Sequence, residues 1–399
     1  MRKQVRFIIF LLMVVIMVSI MSGCINGQGS AAKGFTINGV SIEKYKIIYA
    51  ENPETDYLAQ YPKYNVIEDI QFDRITAEEL RDAIQELFGV TLEVCLDYRT
   101  EVTDYEILVG ATNRTIVKED FFAMSSYDML AGVDGNKLYL RGGCFGATYS
   151  AKEKLVAFLR QQSDNGKKLV ALDEDYAIKE EAQLTTIACL GDSITEGASV
   201  FIEDVVVDFA ENKAHYSWPV VLQRIFWKTC YVYNLGCSGS CVRTDIEEHA
   251  YVNTLQWSTL MSVADKVDIT LIMLGTNDTF WDTNHKLSDD EVQIFMTSYE
   301  AMVQSMLEKN PEMRFTMFNC PVAYGHPNSA TQEVLDAQLM TYASLMEKNY
   351  PIEFFDMREA SKKLDRSVFS DGIHLSSRGS GVFAQLIASV CEDFYKLEP

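Results

Sequence analysis

Thr186-Ile187-Ala188-Cys189-Leu190-Gly191-Asp192-Ser193-Ile194-Thr195 runs from an apolar, β-branched stretch into a Gly-Asp turn and then a serine. It reads as a buried strand that ends where a helix begins. The pattern repeats downstream. Strands are predicted over 231–234, 267–274, 314–319 and 352–355, and helices over 218–226 and 288–309. Ser288 and Glu291 form a capping box for the second of these helices. Val292, Phe295, Met296, Tyr299, Met302, Val303 and Met306 line its inner face. A final helix carries Val382, Phe383, Leu386, Ile387, Val390 and Phe394 at helical spacing. Strands alternating with helices predict an α/β fold with a parallel sheet covered on both faces. In such a sheet, ligands bind beyond the carboxyl ends of the strands.

Three more polar blocks fall at or near such ends or before the last helix. They are Asn234-Leu235-Gly236-Cys237-Ser238-Gly239, Gly275-Thr276-Asn277-Asp278 and Asp371-Gly372-Ile373-His374. Each alone has a plain structural reading: a capping turn, a glycine loop, a polar turn, a structural histidine. Together, in this order, they hold what acyl transfer from an ester requires. There is a serine nucleophile, a histidine base, a carboxylate to orient it, and donors for an oxyanion.

The four blocks resemble those of the SGNH (GDSL-type) hydrolase superfamily, over about residues 184–396. The forms GDSIT and DGIH carry the resemblance. It implies a flavodoxin-like three-layer α/β/α domain. It also implies Ser193 as nucleophile, His374 as general base, Asp371 as its orienting carboxylate, and Asp192 as a supporting residue. The oxyanion hole would be the N–H groups of Ser193 and Gly239 with the side-chain amide of Asn277. A glycine suits position 239, where backbone must approach substrate closely. Leu375 departs from the proline that many relatives carry there. Of the five histidines, His374 alone has a carboxylate at the family's spacing. Trp281 and Tyr216 are candidates for lining the substrate pocket; core or lid packing is the alternative. Asn277-Asp278-Thr279 also matches a glycosylation acceptor, a coincidence if Asn277 serves the oxyanion.

Residues 34–178 form a smaller α+β unit, joined by a charged linker at 179–184 to the domain at 185–399. A strand is predicted at 45–49, and a helix at 76–88 opened by a Thr76/Glu79 capping box. Strands at 105–109 and 137–140 and a helix at 150–161 follow. The stretches TAEELRDAIQELFGV, YEILVGATNR and GNKLYLRGG…GATYSAKEKLVAFL resemble the accessory domain upstream of the barrel in β-N-acetylhexosaminidase-type and α-glucuronidase-type glycoside hydrolases. That resemblance implies a glycan context without a catalytic role. A generic spacer is the alternative.

At the start, Arg2, Lys3 and Arg6 precede an apolar run over 7–20, short for a membrane span but suited to a signal peptide. Met21-Ser22-Gly23-Cys24 resembles a bacterial lipoprotein processing site. The expectation is a signal at 1–23, lipidation of Cys24, a Gly/Ser tether at 24–33, and an extracytoplasmic, membrane-anchored protein; ordinary secretion is the alternative. A formal charge of −22 disfavours nucleic acid as a partner. No Cys/His group has zinc-ligand spacing, and neither metal nor cofactor is expected. Cys189 reads as a buried thiol, while Cys237 and Cys241 could bridge. The resulting expectation is a serine esterase removing acetyl or other small acyl groups from polysaccharide. A lipase or thioesterase, or an inactive glycan-binding lipoprotein, are the rivals.

Overall fold

The computed structural model describes residues 34–50, 72–165, 167–198, 201–202, 205–206, 217–281 and 285–399. The expected signal, Cys24, the tether and Tyr216 lie outside them. Among the described residues, no helix is long and apolar enough to cross a membrane.

The first unit contains β1 (Gly34–Ile37), β2 (Val40–Ser41), β3 (Lys46–Tyr49), α1 (Phe72–Phe88), β4 (Val94–Leu96), β5 (Glu106–Val109), β6 (Asp128–Asp134), β7 (Lys137–Gly142), α2 (Phe145–Asp164), β8 (Leu169–Leu172) and β9 (Ala177–Glu181). Its main sheet runs β4-β3-β5-β7-β6-β9, and a second, small sheet runs β2-β1-β8. Strands β4, β3, β5 and β7 are parallel, whereas β6 is antiparallel to both β7 and β9. Leu80 and Ile84 of α1 and Leu155 and Leu159 of α2 share one core with Ile47, Ile107 and Leu138 of the sheet.

Two expectations are corrected here. The first helix begins at Phe72, so Thr76 lies inside it and caps nothing. The Thr76 hydroxyl donates back to the Phe72 carbonyl (3.0 Å), and Glu79 accepts instead from Lys152 and Lys228. Part of the expected linker is strand: β9 pairs with β6 through residue 181.

The second unit contains β10 (Thr185–Gly191), α3 (Ser193–Glu196), β11 (Phe201–Ile202), β12 (Val205–Val206), α4 (Trp218–Ile225), β13 (Cys230–Gly236), α5 (Leu255–Val263), β14 (Ile269–Met273), α6 (Asp289–Lys309), β15 (Arg314–Phe318), α7 (Gln332–Glu347), β16 (Ile352–Phe355), α8 (Met357–Lys362) and α9 (Ser377–Tyr395). Its sheet is entirely parallel and ordered β13-β10-β14-β15-β16. Counted within the unit this is 2-1-3-4-5, the flavodoxin-like doubly wound order. One face packs against α6 and α7 through Phe295, Tyr299, Met302 and Val334. The other packs against α4 and α9 through Trp218, Leu222, Phe383 and Ile387. The fold is the expected three-layer α/β/α arrangement, preceded by a smaller mixed α/β unit. The register aligns Gly191 with both Gly236 and Met273, so the carboxyl ends of β13, β10 and β14 finish level. The order reverses beside β10, and that crevice is where such sheets bind ligands.

Candidate active site

Ser193 is the first residue of α3, directly after β10. Gly191 can have no side chain, because a Cβ there would lie 2.0 Å from the Thr195 hydroxyl. Asp192 caps the short helix, its Oδ1 accepting from the Ile194 N–H at 2.9 Å. The turn therefore delivers the serine to the sheet edge at a helix start, where first-turn N–H groups have no intrahelical acceptor.

His374 arrives from the loop before α9. Its Nε2 lies 2.9 Å from Ser193 Oγ, and its Nδ1 lies 2.7 Å from Asp371 Oδ2. Nδ1–H donates to the carboxylate, which leaves Nε2 as the acceptor facing the serine hydroxyl. Asp371 Oδ1 accepts two more bonds, from the N–H groups of Ile373 (3.0 Å) and His374 (2.8 Å). Burial opposes the charge on Asp371, but the His374 ring and these two N–H groups outweigh it. The carboxyl is held well below the ordinary range and stays ionised. Gly372 takes φ +101°, and a Cβ there would strike the Tyr324 carbonyl at 2.2 Å. The His326 ring nitrogen sits 3.2 Å from the Asp371 carbonyl, bracing the same loop from β15's side.

Gly239 and Asn277, the donors expected for an oxyanion, follow the ends of β13 and β14. Asn277 Nδ2 donates to the Ser240 carbonyl at 3.1 Å, which orients the amide and leaves its second hydrogen for a ligand. Gly239 takes φ +78°, and its N–H has no protein acceptor among the described residues. The loops are laced together. Glu196 accepts from the Ser238 N–H (2.8 Å) and hydroxyl (2.5 Å), tying the nucleophile helix to the Gly239 loop. Asp278 accepts from the N–H groups of Val242 and Arg243, tying the β13 and β14 loops. Burial is the main influence on Asp192 and Asp278, and pushes them up to about 6 and about 7. Thr276 lies close enough to Asp192 to offset part of the effect of burial.

The structure thus brings Ser193, Asp371 and His374 together, with Asp192, Gly239 and Asn277 around them. Asn277 is buried within this machinery, in keeping with a fortuitous glycosylation match. Trp281 stands beside Gly239, 41% exposed. Sequence reasoning passed over Glu196, Asp278, His249 and His326. Glu196 and Asp278 lie within a few residues of the blocks, but nothing local shows that they tie two loops together. Cys189 is buried, and Cys237 and Cys241 are free thiols. Among the described residues, no group of His, Cys, Asp or Glu could hold a metal.

Residues 189–382 match the GDSL-like lipase/acylhydrolase family. The C-terminal half is a GDSL/SGNH hydrolase domain. The chain is also similar to an acetylxylan esterase of Xylanibacter ruminicola, 22% identical over 259 residues. The match takes in 61% of this chain and 48% of that protein, so the chain spans about half the length of this relative. Two solved structures resemble the hydrolase half. A lipase/acylhydrolase from Enterococcus faecalis is 19% identical with TM-score 0.39, covering 54% of this chain and 98% of that one. A family two carbohydrate esterase from Clostridium thermocellum is 16% identical with TM-score 0.41, covering 56% and 69%.

Proposed function

We propose that the protein is a serine ester hydrolase that removes acetyl or other small acyl groups from carbohydrate. The observation that carries the hydrolase reading is the continuous Ser193–His374–Asp371 relay, at 2.9 and 2.7 Å. Ser193 Oγ attacks the acyl carbonyl while its proton passes to His374 Nε2. The N–H groups of Ser193 and Gly239 and the Asn277 amide receive the oxyanion. His374 then gives the proton to the departing sugar oxygen, and the alcohol leaves. Water, deprotonated by His374, attacks the acyl-enzyme and releases the carboxylic acid and Ser193. Asp371, kept ionised, favours the imidazolium in both halves.

The carbohydrate part is supported by the acetylxylan esterase similarity, and by the accessory-domain resemblance of residues 40–165. We further propose an extracytoplasmic protein, anchored through lipid on Cys24. Cleavage before Cys24, with acyl groups found on it by mass spectrometry, would support this; a mature chain retaining residues 1–23 would refute it.

Acid release from a panel of acetylated polysaccharides and synthetic esters tests the function. Short acyl groups on sugars should be preferred, and long-chain preference would make the protein lipase-like instead. Ser193→Ala should abolish turnover with the fold intact, and retained turnover would sink the assignment. Asn277→Ala should lower kcat by about 10²–10³ at little change in KM.

A further inference from the structure

Trp281 is exposed, yet its position is closely specified. Its Nε1–H donates to the Gly239 carbonyl at 2.9 Å. Its ring stacks on His249, with centroids 3.9 Å apart and planes 2° from parallel. A Cβ placed on Gly239 would lie 3.3 Å from Trp281 Cζ2 and 3.9 Å from His249 Nδ1, so this stack closes over the glycine. Burial does not hold the indole; these contacts do, together with Phe280, whose ring meets it edge-on at 4.8 Å.

His249 is itself pinned to the same loop. Its carbonyl accepts from the Cys241 N–H at 2.8 Å, and its N–H donates to the Ile246 carbonyl at 2.9 Å. The neighbours of Gly239 are tied independently. Ser238 is held by Glu196, the Ser240 N–H donates to the Cys237 carbonyl, and the Ser240 carbonyl accepts from Asn277. Among the described residues, the Gly239 carbonyl has only the Trp281 indole and a long contact from the Cys241 thiol at 3.9 Å. Glycine at positive φ has the most conformations to lose, so an outside hold matters more here than at any neighbour.

We propose that Trp281, backed by His249, is a positioning residue that fixes Gly239 so that its N–H meets the oxyanion. This rests on the ester-hydrolase reading. A donor that is preset costs no reorganisation when charge develops on the acyl oxygen. Its loss is therefore felt in the transition state rather than in ground-state binding.

Trp281→Phe keeps an aromatic ring and deletes the N–H. With a small acetyl ester, kcat should fall about tenfold and KM should stay within about twofold. A boronic acid, which forms a tetrahedral adduct on Ser193, should lose affinity by the same factor, while the alcohol product should bind as before. His249→Leu removes the backing ring and should give a smaller loss of the same kind. A raised KM with unchanged kcat in Trp281→Phe would overturn the proposal and leave Trp281 a substrate wall. If Trp281→Phe does not fold, as judged by circular dichroism, unchanged kcat in His249→Leu would overturn it equally. Ser193→Ala run in parallel separates the two levels: turnover surviving there defeats the hydrolase reading and this inference with it, whereas failure confined to the Trp281 and His249 variants defeats only the inference.

Discussion

Two buried carboxyls lie behind the serine turn, and they titrate unlike Asp371. Burial raises Asp192 to about 6 and Asp278 to about 7, whereas an unfolded aspartate titrates near about 4. Between about pH 4 and 7 the folded protein therefore holds more protons than the unfolded chain, and stability should fall as pH rises through that window. Asp371 has the opposite sign. Its depressed value contributes stability that is present above about pH 4 and lost only on strong acidification. Thermal unfolding between pH 5 and 8 should show a falling Tm, and Asp192→Asn should flatten part of the slope. An unchanged slope would mean Asp192 titrates as in the unfolded chain. The relay itself is legible in the sequence, because Gly-Asp-Ser and Asp-Gly-Ile-His state residue type and spacing together. The lacing by Glu196, Asp278 and Trp281 is not. Each of those bonds joins residues from different strand ends, and sequence order does not show which ends meet.

Among the connecting elements, the segment between α8 and α9 carries two of the three relay residues and is tightly constrained. Gly372 at φ +101° faces the Tyr324 carbonyl, and the Tyr324 N–H donates to the Gly372 carbonyl at 2.7 Å. Gly372→Ala should push this loop off its brace, costing about 1–3 kcal/mol of stability and most of the activity. Urea unfolding and acetyl-ester turnover would check both, and unimpaired turnover would contradict the geometry. The α6 capping box offers a contrast. Ser288→Ala should cost about 1 kcal/mol and change kcat little, since Ser288 touches no relay residue and its partner Glu291 reaches the Asp278 loop only through Arg243. Such well-signalled elements were readable from sequence. The charged strand β9 was not. It is the edge of its sheet, four of its five residues are exposed, and its lysine and glutamates hide the alternation that marks a strand. The start of α1 was missed because Thr76 and Glu79 mimic a cap while serving other contacts.

Across the whole molecule, the two units are joined by a built interface. Trp227, at the end of α4, packs its ring against Phe72 (5.0 Å) and Tyr149 (5.4 Å) of the first unit. Lys228 pairs with Glu79 at 2.9 Å, Ser126 donates to the Tyr231 hydroxyl, and Tyr127 bonds Thr186 on β10 of the hydrolase sheet. Glu79 is influenced most by burial, but Lys152 and Lys228 prevail and lower it to about 2. Calorimetry should therefore record one cooperative transition. Trp227→Ala should cost about 3–5 kcal/mol and separate it into two. Two transitions in the unaltered protein would mean the units melt independently. The alternation of strands and helices made both units foreseeable. Their mutual burial was not, because an aromatic such as Trp227 at a helix end reads the same whether it covers its own core or a neighbour's.

The 181 positions between Ser193 and His374 have a consequence for how the protein is made. Looping a chain over that distance costs only slightly more entropy than over half of it, but the two residues meet only after β10, β14, β15 and β16 have aligned and α9 has returned over them. Parallel pairings of this kind form late. After dilution from denaturant, turnover should reappear with the slowest phase, well behind the recovery of helical circular dichroism. Newly synthesised chains would thus emerge catalytically silent until their last helix has docked.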